Sequence, residues 1–211
     1  MSGHARDSRR SAPADVPAAD GGLSATEGRF LARCAARAVG AALSGSPRDG
    51  RPPQSAALRR LGASFVSLHR DGELRGCIGS LRPVRPLYLD ATANAVRAMR
   101  DPRLPPVTAA EWPRLDVSVS VLSPLAPLAV ADLPALLAAL RPRVDGLVIS
   151  VGARQATFLP VVWEKLREPA AFVAQLLAKG GWPAGQLPEG AAVSRYTAPE
   201  FHDPAPRSPL G

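Results

Sequence analysis

The sequence predicts an α+β fold, because strand-like and helix-like segments follow one another without a regular alternation. Two short stretches with strand periodicity flank Asp71-Gly72, which is a strong hairpin signal. A second pair of such stretches flanks Gly152. The chain has 211 residues, of which 46% are hydrophobic, so it is long enough to bury a core without disulfides or metals.

The first predicted helix follows a segment that has no periodicity. Residues 1–22 are rich in Ala, Ser, Pro, Asp and Arg and are predicted to be a disordered tail. Ser24 and Glu27 then form a Ser-x-x-Glu capping box, which marks the start of a helix. Cys34 lies on the apolar stripe of this helix, so packing explains that cysteine.

The other elements are placed by periodicity, prolines and glycines. Further helices are predicted at residues 56–61, 86–100, 133–140 and 168–179. Strands are predicted at residues 65–69, 74–80, 115–121, 147–151, 155–159 and 193–197. Residues 203–211 contain three prolines and are predicted to be a flexible tail.

Composition and charge argue against several classes of function. The only cysteines, Cys34 and Cys77, are far apart and no histidine clusters with them, so no metal site and no cofactor are predicted. Such cysteine usage favours the reducing cytoplasm. No apolar run approaches the roughly 20 residues of a membrane span. The net charge of +8 comes almost entirely from arginine without an aromatic platform, which favours a solvated surface over nucleic-acid binding.

Residues 74–80 form the candidate functional segment. Cys77 lies there between Gly76 and Gly79, two residues after Arg75. Glycine weakens a strand unless something must approach its backbone closely, and a guanidinium near a thiol lowers the pKa of that thiol. Cys77 is therefore a candidate nucleophile, and Arg75 is its candidate pKa partner or anion-binding partner.

A regular strand would divide this segment into two faces. Glu73, Arg75 and Cys77 would share one face, while Leu74 and Ile78 would point to the other. The first of these faces, with the glycines that allow close approach, is the predicted surface for a ligand or partner. Its residues are Glu73, Arg75, Gly76, Cys77, Gly79 and Ser80.

The two-residue turn also predicts which residues pair across the hairpin. Leu68 would lie opposite Arg75, and Val66 opposite Cys77. A bulge at Gly76 would overturn this arrangement. Two interpretations of each key residue stay open, since the cysteine could be a small buried hydrophobe and the arginine a structural ion-pair partner.

Residues 71–80 are similar to the hallmark motif of the AMMECR domain family, whose bacterial members are named AmmeMemoRadiSam system protein A. The resemblance covers about residues 24–202, so residues 23–202 are predicted to form one AMMECR-like domain. It departs from the family at Leu104, at Val161 and at residues 180–182. Further matching blocks are residues 93–95, 101–103, 117–123, 145–147, 157–160, 162–164 and 196–201.

The resemblance implies two subdomains built on antiparallel sheets and flanked by helices, with the motif near a cleft between them. It also implies an association with a Memo-like protein and a radical-SAM enzyme. The chain lacks the three-cysteine cluster that such an enzyme needs, so it is not that component. The resemblance implies no particular reaction.

Two functions agree with these observations. The chain is predicted to be a cytoplasmic accessory or binding component that acts with the Memo-like and radical-SAM proteins. The alternative is an enzyme or small-molecule-handling protein that uses Cys77 and Arg75 in the cleft between the subdomains. The first is favoured because the sequence pairs no histidine or carboxylate with the cysteine.

Overall fold

The structure is a computed structural model that describes residues 22–47 and 52–210, and it confirms the α+β class. The tail predicted at residues 1–22 lies outside the described residues, except for Gly22. The helices are α1 (Ala25–Ser44), α2 (Ala56–Arg59), α3 (Leu87–Ala98), α4 (Leu133–Ala139) and α5 (Pro169–Lys179), with 3-10 helices at Ala109–Arg114 and Pro160–Glu164. The strands are β1 (Leu61–Gly62), β2 (Ser64–Arg70), β3 (Glu73–Gly79), β4 (Arg85–Pro86), β5 (Leu115–Val121), β6 (Ala126–Pro127), β7 (Gly146–Val151), β8 (Arg154–Phe158), β9 (Ala192–Tyr196) and β10 (Glu200–Asp203).

Two four-stranded antiparallel sheets organise the chain. The strand order is β10-β5-β2-β3 in the first sheet and β6-β9-β7-β8 in the second, and β1 pairs with β4 separately. The chain crosses between the sheets after β5 and returns after β9. The two crossing segments bind each other, since the Val121 N–H donates to the Pro199 oxygen and the Ser123 N–H to the Thr197 oxygen.

Helices α1 and α3 cover one face of the first sheet. The capping box predicted at the start of α1 is confirmed, because the Glu27 N–H donates to Ser24 Oγ and the Ser24 N–H to the Glu27 carboxylate. Small residues on α3 let it approach the sheet closely, and Ala91 and Ala95 are fully buried. This first core also contains Leu31, Val39, Leu58, Val66, Leu68, Leu115, Val117 and Val119.

The second sheet packs against α4 and α5 around its own core. Trp163 stacks on Phe172 there, with their ring centroids 3.9 Å apart. A smaller cluster of Ala63, Leu122, Val148 and Tyr196 joins the two sheets. The chain therefore has two subdomains, each with one sheet and its helices. Among the described residues, no helix has the length and apolar character to span a membrane.

The C-terminal segment differs from the flexible tail predicted at residues 203–211. Asp203 is the last residue of β10, and the chain beyond it runs back along the first subdomain as far as it is described. Trp112 Nε1 donates to the Ser208 oxygen at 3.0 Å, and Arg207 Nε donates to the Leu115 oxygen at 2.7 Å. The prolines prevent regular structure in this segment, but side-chain hydrogen bonds from distant residues hold it.

Candidate functional site

The candidate site is built on the hairpin of β2 and β3. Asp71 and Gly72 form its two-residue turn with φ values of 52° and 83°. Positive φ at both positions suits an Asp-Gly hairpin turn, because Gly has no Cβ to clash and Asp tolerates the left-handed region. Arg70 lies opposite Glu73, so the hairpin closes where the sequence predicts.

Beyond the turn, the register between β2 and β3 shifts by one residue. His69 lies opposite Leu74, whereas the preceding residue of β2, Leu68, lies opposite Gly76. Arg75 is therefore the extra residue of a β-bulge. A turn sequence cannot predict such a bulge, because the contacts that hold the inserted residue come from elsewhere in the chain.

The bulge changes the neighbours of Cys77. Ser67 lies opposite it, so the predicted pairing with Val66 is wrong, and so is the pairing of Leu68 with Arg75. Ser67 Oγ donates to Cys77 Sγ at 3.3 Å. Val66 and Leu68 are instead fully buried beneath the helices.

The bulge also separates Arg75 from Cys77. Ser67 and His69 are two positions apart on β2 and share a face, so their partners Cys77 and Leu74 share that face too. The arginine turns to the other side, toward the helices. The prediction that Arg75 shares a face with Cys77, and that Leu74 lies on the opposite one, is therefore wrong. We call the face that carries Ser67, His69, Leu74 and Cys77 the open face.

Arg75 forms an ion pair on the helix side of the sheet. Its Nε donates to Glu111 Oε1 at 2.6 Å, and Arg70 Nη1 donates to the same oxygen at 3.1 Å. Glu111 is 8% exposed, and the hydrogen bond from Arg75 is the main cause that lowers its pKa to about 2. The same contact raises the pKa of Arg75. Of the two roles that the sequence leaves open for Arg75, these contacts favour the structural one.

The backbone of Cys77 is held by a carboxylate and a guanidinium. Strand β3 is an edge of the first sheet, so Cys77 has no neighbouring strand on its outer side. There its N–H donates to Asp101 Oδ2 at 3.0 Å, and Arg103 Nη2 donates to its oxygen at 3.1 Å. The two side chains bind each other through Arg103 Nε and Asp101 Oδ1 at 2.9 Å. We call this pair the Asp101–Arg103 clamp, and it closes the edge as a neighbouring strand would.

Burial and charge keep the clamp intact. Asp101 is 2% exposed, and the Arg103 side chain holds the pKa of its carboxyl far below the ordinary range. Both residues belong to a block whose family resemblance is visible in the sequence. Their contact with Cys77 is not, because a helix stop explains an Asp-Pro-Arg sequence equally well.

The two motif glycines make room for other parts of the same subdomain. A Cβ on Gly76 would lie 1.9 Å from the Ala98 oxygen at the end of α3. A Cβ on Gly79 would lie 2.3 Å from the Phe65 ring and 2.5 Å from the Ser64 oxygen. Internal packing therefore explains both glycines without an approaching ligand.

A buried polar network fixes α3 against β2, and the sequence pattern does not reveal it. Asp90 Oδ2 accepts from the Ser64 N–H at 2.9 Å, from Ser64 Oγ at 2.7 Å and from Asn94 Nδ2 at 2.9 Å. Arg85 Nε donates to the other carboxylate oxygen at 2.9 Å. The network positions the end of α3, from which both the Ala98 oxygen and the clamp approach β3.

Lys179 binds the edge of the second sheet. It ends α5, and its Nζ donates to the Thr157 oxygen at 3.0 Å and lies 5.1 Å from the centroid of the Phe158 ring. Partial burial lowers the pKa of Lys179, as does the charge of Arg103, whereas Cys77 acts in the opposite direction.

Comparison with known proteins assigns this arrangement to a family. The model of the AMMECR1 family matches residues 32–201. The chain belongs to the AMMECR1 family. A protein of Methanothermobacter thermautotrophicus is 38% identical over 190 residues, which cover 86% of this chain and 96% of that protein. A second relative, from Pyrococcus horikoshii, is 34% identical over 205 residues and covers 87% of this chain and 93% of its own length.

A solved structure supports the same assignment. The crystal structure of an uncharacterized protein from Pyrococcus horikoshii has a TM-score of 0.76 and 31% sequence identity to this chain. The match covers 87% of this chain and 95% of that protein. The AMMECR1-family fold therefore extends over nearly the whole of the two subdomains described above.

In this AMMECR1-family chain, the six residues of the predicted surface do not share one face. Gly76 is buried toward the helices, whereas Cys77 lies half-buried on the open face. Glu73 is exposed at the hairpin tip, and Ser80 Oγ donates to the Arg82 oxygen at 3.2 Å just beyond the strand. The bulge accounts for the separation of Glu73 and Arg75 from Cys77, because it inserts one residue between the tip and the cysteine.

A cavity of about 470 Å³ lies between the subdomains. Ser120 and Glu200 line it from the first subdomain, and Trp163 and Arg167 from the second. The motif residues do not line it; Arg75 instead lines a separate cavity of about 490 Å³ on the helix side, together with Arg70, Glu111 and Arg114. Within the described ranges, no three His, Cys, Asp or Glu residues form a group that could hold a metal ion.

Proposed function

We propose that this chain is a non-catalytic accessory component that binds two cytoplasmic partners, a Memo-like protein and a radical-SAM enzyme. The choice of partners is supported by the resemblance of residues 71–80 to proteins named for that system. The cytoplasmic setting is supported by the two cysteines, Cys34 and Cys77, which do not form a disulfide with each other.

The single observation that carries this proposal is that the two arginines of the site are each bound to a carboxylate. Arg75 is paired with Glu111, and Arg103 with Asp101. A base within hydrogen-bond reach is one common means of activating a nucleophile. The hydrogen bond to the Cys77 thiol comes from Ser67, whose hydroxyl is not a base at neutral pH. Such an arrangement supports a rigid binding surface rather than covalent chemistry.

The open face offers a surface that a partner protein can contact. Leu74 is 43% exposed beside the hairpin tip, and the exposed Glu73 precedes it. An apolar contact with a charged rim is the usual anatomy of a protein interface. The Asp101–Arg103 clamp holds this edge in place, so that little conformational freedom is lost on binding.

Co-purification tests the proposal. The chain is co-expressed with the Memo-like and radical-SAM proteins of its own genome, and complexes are measured by size-exclusion chromatography. We expect the wild type to co-elute with at least one of them and Leu74→Asp to weaken binding at least about tenfold. Val144→Asp is a matched control, because Val144 is 44% exposed and lies in the second subdomain.

Two outcomes would contradict the proposal. One is a wild-type chain that co-elutes with neither partner at concentrations well above micromolar affinity. The other is a complex that Leu74→Asp and Val144→Asp weaken equally, since the open face would then have no special part. Thermal unfolding of both variants shows that the loss of binding does not come from loss of the fold.

A further inference from the structure

The cavity of about 470 Å³ between the subdomains has two sides of opposite charge. Ser120 and Glu200, which lie opposite each other on β5 and β10, form the side that we call the acidic wall. Arg143, Glu164 and Arg167 of the second subdomain form the side that we call the basic wall. The acidic wall bears one negative charge, and the basic wall bears one net positive charge. A cavity of this volume at a subdomain interface is typical of a small-molecule site.

The charged side chains of this cavity are not neutralised by the protein. Within residues 22–47 and 52–210, the side chains of Arg143, Glu164 and Arg167 form no ion pair and no hydrogen bond. Glu200 has His202 Nε2 at 3.8 Å, which is an ion pair only when that histidine is protonated. Both arginines are exposed, so a ligand reaches them from the solvent. Their donors therefore remain available to a molecule in the cavity.

The backbone of Arg143 is held in a conformation that does not suit an arginine. Its φ is 66°, in the left-handed region that glycine adopts most easily. The turn that contains it is closed by Asp145, whose carboxylate accepts from the Arg141 N–H at 2.9 Å and whose own N–H donates to the Arg141 oxygen at 3.0 Å. A glycine would relieve the strain. The fold therefore gives no reason for an arginine here, whereas a role of its guanidinium in the cavity does.

Trp163 fixes the two segments that carry the arginines to each other. It belongs to the 3-10 helix Pro160–Glu164, which leads to Arg167, and it is 1% exposed. Its Nε1 donates to the Asp145 oxygen at 2.7 Å, in the turn that carries Arg143. The basic wall is therefore built before a ligand arrives, and donors that are already in place lose little freedom on binding.

We infer that this cavity binds a small zwitterion, a molecule with an anionic group at one end and an ammonium group at the other. Arg143 and Arg167 bind the anionic group through charge-assisted hydrogen bonds. Glu200 and Ser120 accept hydrogen bonds from the ammonium group on the opposite wall, so the ligand bridges the two subdomains. The apolar part between its ends contacts Leu159, Pro160, Val161 and Ala198. This ligand is additional to the partner proteins of the proposed function and does not depend on them.

The chemistry of the basic wall fits both a phosphate and a carboxylate group, because a guanidinium binds either anion through paired hydrogen bonds. Phosphoethanolamine and γ-aminobutyrate are therefore the two probes, and each carries an ammonium group at its other end. Inorganic phosphate, butyrate and ethanolamine are the matched controls with one charged end. Each compound is titrated at low ionic strength, where charge contacts are least screened.

The tryptophans report both affinity and position. Trp112, Trp163 and Trp182 are the only ones, so an NMR spectrum of ¹⁵N-labelled protein shows three indole resonances. We expect the Trp163 resonance to shift and saturate with at least one zwitterion, while that of Trp112 in the first subdomain does not. The zwitterion should bind at least about tenfold more tightly than its controls with one charged end. Preference for phosphoethanolamine assigns a phosphate ligand, and preference for γ-aminobutyrate assigns a carboxylate ligand.

Variants test the two walls separately. We expect Arg143→Gly and Arg167→Gln each to weaken binding at least about tenfold, and Glu200→Gln to weaken binding of the zwitterion but not of inorganic phosphate. Arg33→Gln is the matched control, because it removes an exposed arginine of α1 that does not line the cavity. Arg143→Gly should unfold at the same or a higher temperature than the wild type, because glycine suits the local φ. Its loss of binding is then not a loss of the fold.

Three outcomes would overturn the inference. The first is the absence of a saturable shift of Trp163 with either zwitterion. The second is a zwitterion that binds no more tightly than its controls with one charged end, since the acidic wall would then have no part. The third is unchanged binding in both Arg143→Gly and Arg167→Gln. Co-elution with the partner proteins is scored separately, so either proposal can fail alone.

Discussion

The hairpin of β2 and β3 and the hairpin of β7 and β8 have similar turns but differ in strand register. Each has a tight turn with a glycine at positive φ, 83° at Gly72 and 56° at Gly152, and each places its second strand at a sheet edge. The second hairpin keeps one register from Val151–Arg154 to Leu147–Phe158. The first one shifts its register at Arg75.

The two edges are closed by different means. At β3 the clamp satisfies both backbone groups of Cys77, and a second ion pair holds the bulged Arg75. At β8 a single ammonium, that of Lys179, binds one carbonyl, that of Thr157. We conclude that the first hairpin depends on close backbone packing and buried charge, whereas alternation of side chains is sufficient for the second.

The largest expected loss of stability is at Gly76, and Gly152 is the glycine to compare with it. Gly76→Ala would force a Cβ onto the Ala98 oxygen, and we expect it to lower the free energy of unfolding by more than about 3 kcal/mol. Gly152→Ala has open space around it and should cost only about 1 kcal/mol, from its positive φ. Urea unfolding measures both. Equal losses would show that the β3 backbone is no more tightly packed than an exposed turn.

The next effect concerns the clamp. We expect Asp101→Asn to lower the free energy of unfolding by about 2 kcal/mol. The amide keeps the shape of the side chain but loses the charge-assisted hydrogen bonds. Because the pKa of Asp101 is lowered in the folded state, this contribution is present above its ordinary value of 3.8 and decreases as the pH falls below it.

A matched control for Asp101 exists in the second subdomain. Asp145 is fully buried, and its carboxylate accepts from Arg141 Nη2 at 2.6 Å just before β7. Asp145→Asn should destabilise the chain as well, but only Asp101→Asn should speed hydrogen exchange of the Cys77 amide. Unchanged exchange at that amide in Asp101→Asn would contradict the clamp.

A smaller effect should mark the ion pair that holds the bulge. We expect Glu111→Gln to lower the free energy of unfolding by about 1.5 kcal/mol at neutral pH. The folded-state pKa of Glu111 is lowered from 4.5 to about 2, so its stabilisation is complete above pH 4.5 and is lost as the pH falls toward 2. Unfolding curves at several pH values should therefore converge for wild type and variant near pH 2. A difference that persists there would assign the effect to shape rather than charge.

The smallest effect is expected at the second edge. Lys179→Met should change the free energy of unfolding by less than about 0.5 kcal/mol, because the side chain reaches the surface and its capped carbonyl can bind water instead. Chemical denaturation measures it, with Lys165→Met as the control. A loss as large as that of Asp101→Asn would mean that both edges depend on charge, and the contrast between the hairpins would fail.

Local patterns identified most of the elements correctly. The Ser24–Glu27 capping box and the Asp71-Gly72 turn both act within a few residues, and both are confirmed. The short strands β1, β4, β6 and β10 and the two 3-10 helices were not predicted, since pieces of two to six residues carry too little periodicity. The docking of Arg207 was missed because its partners lie about 90 residues away.

The candidate site was predicted in part. The sequence singled out the segment around Cys77 as the candidate site, but it assigned Arg75 to the wrong face. It also offered a ligand as a reason for Gly76, whereas the end of α3 requires that glycine. Lys179 carried no signal, because nothing near residue 179 indicates that the end of α5 caps the Thr157 carbonyl of β8.

What the sequence alone determined is therefore local: the class of fold, the hairpin turns, the helix caps and the family to which the chain belongs. These follow from backbone preferences and from hydrogen bonds between residues close in the chain. Only the tertiary structure decided that Arg75 binds Glu111, that Asp101 and Arg103 hold Cys77, and that Lys179 caps the Thr157 carbonyl. A bulge and an edge contact depend on long-range packing and charge, and one inserted residue reverses every face that alternation predicts.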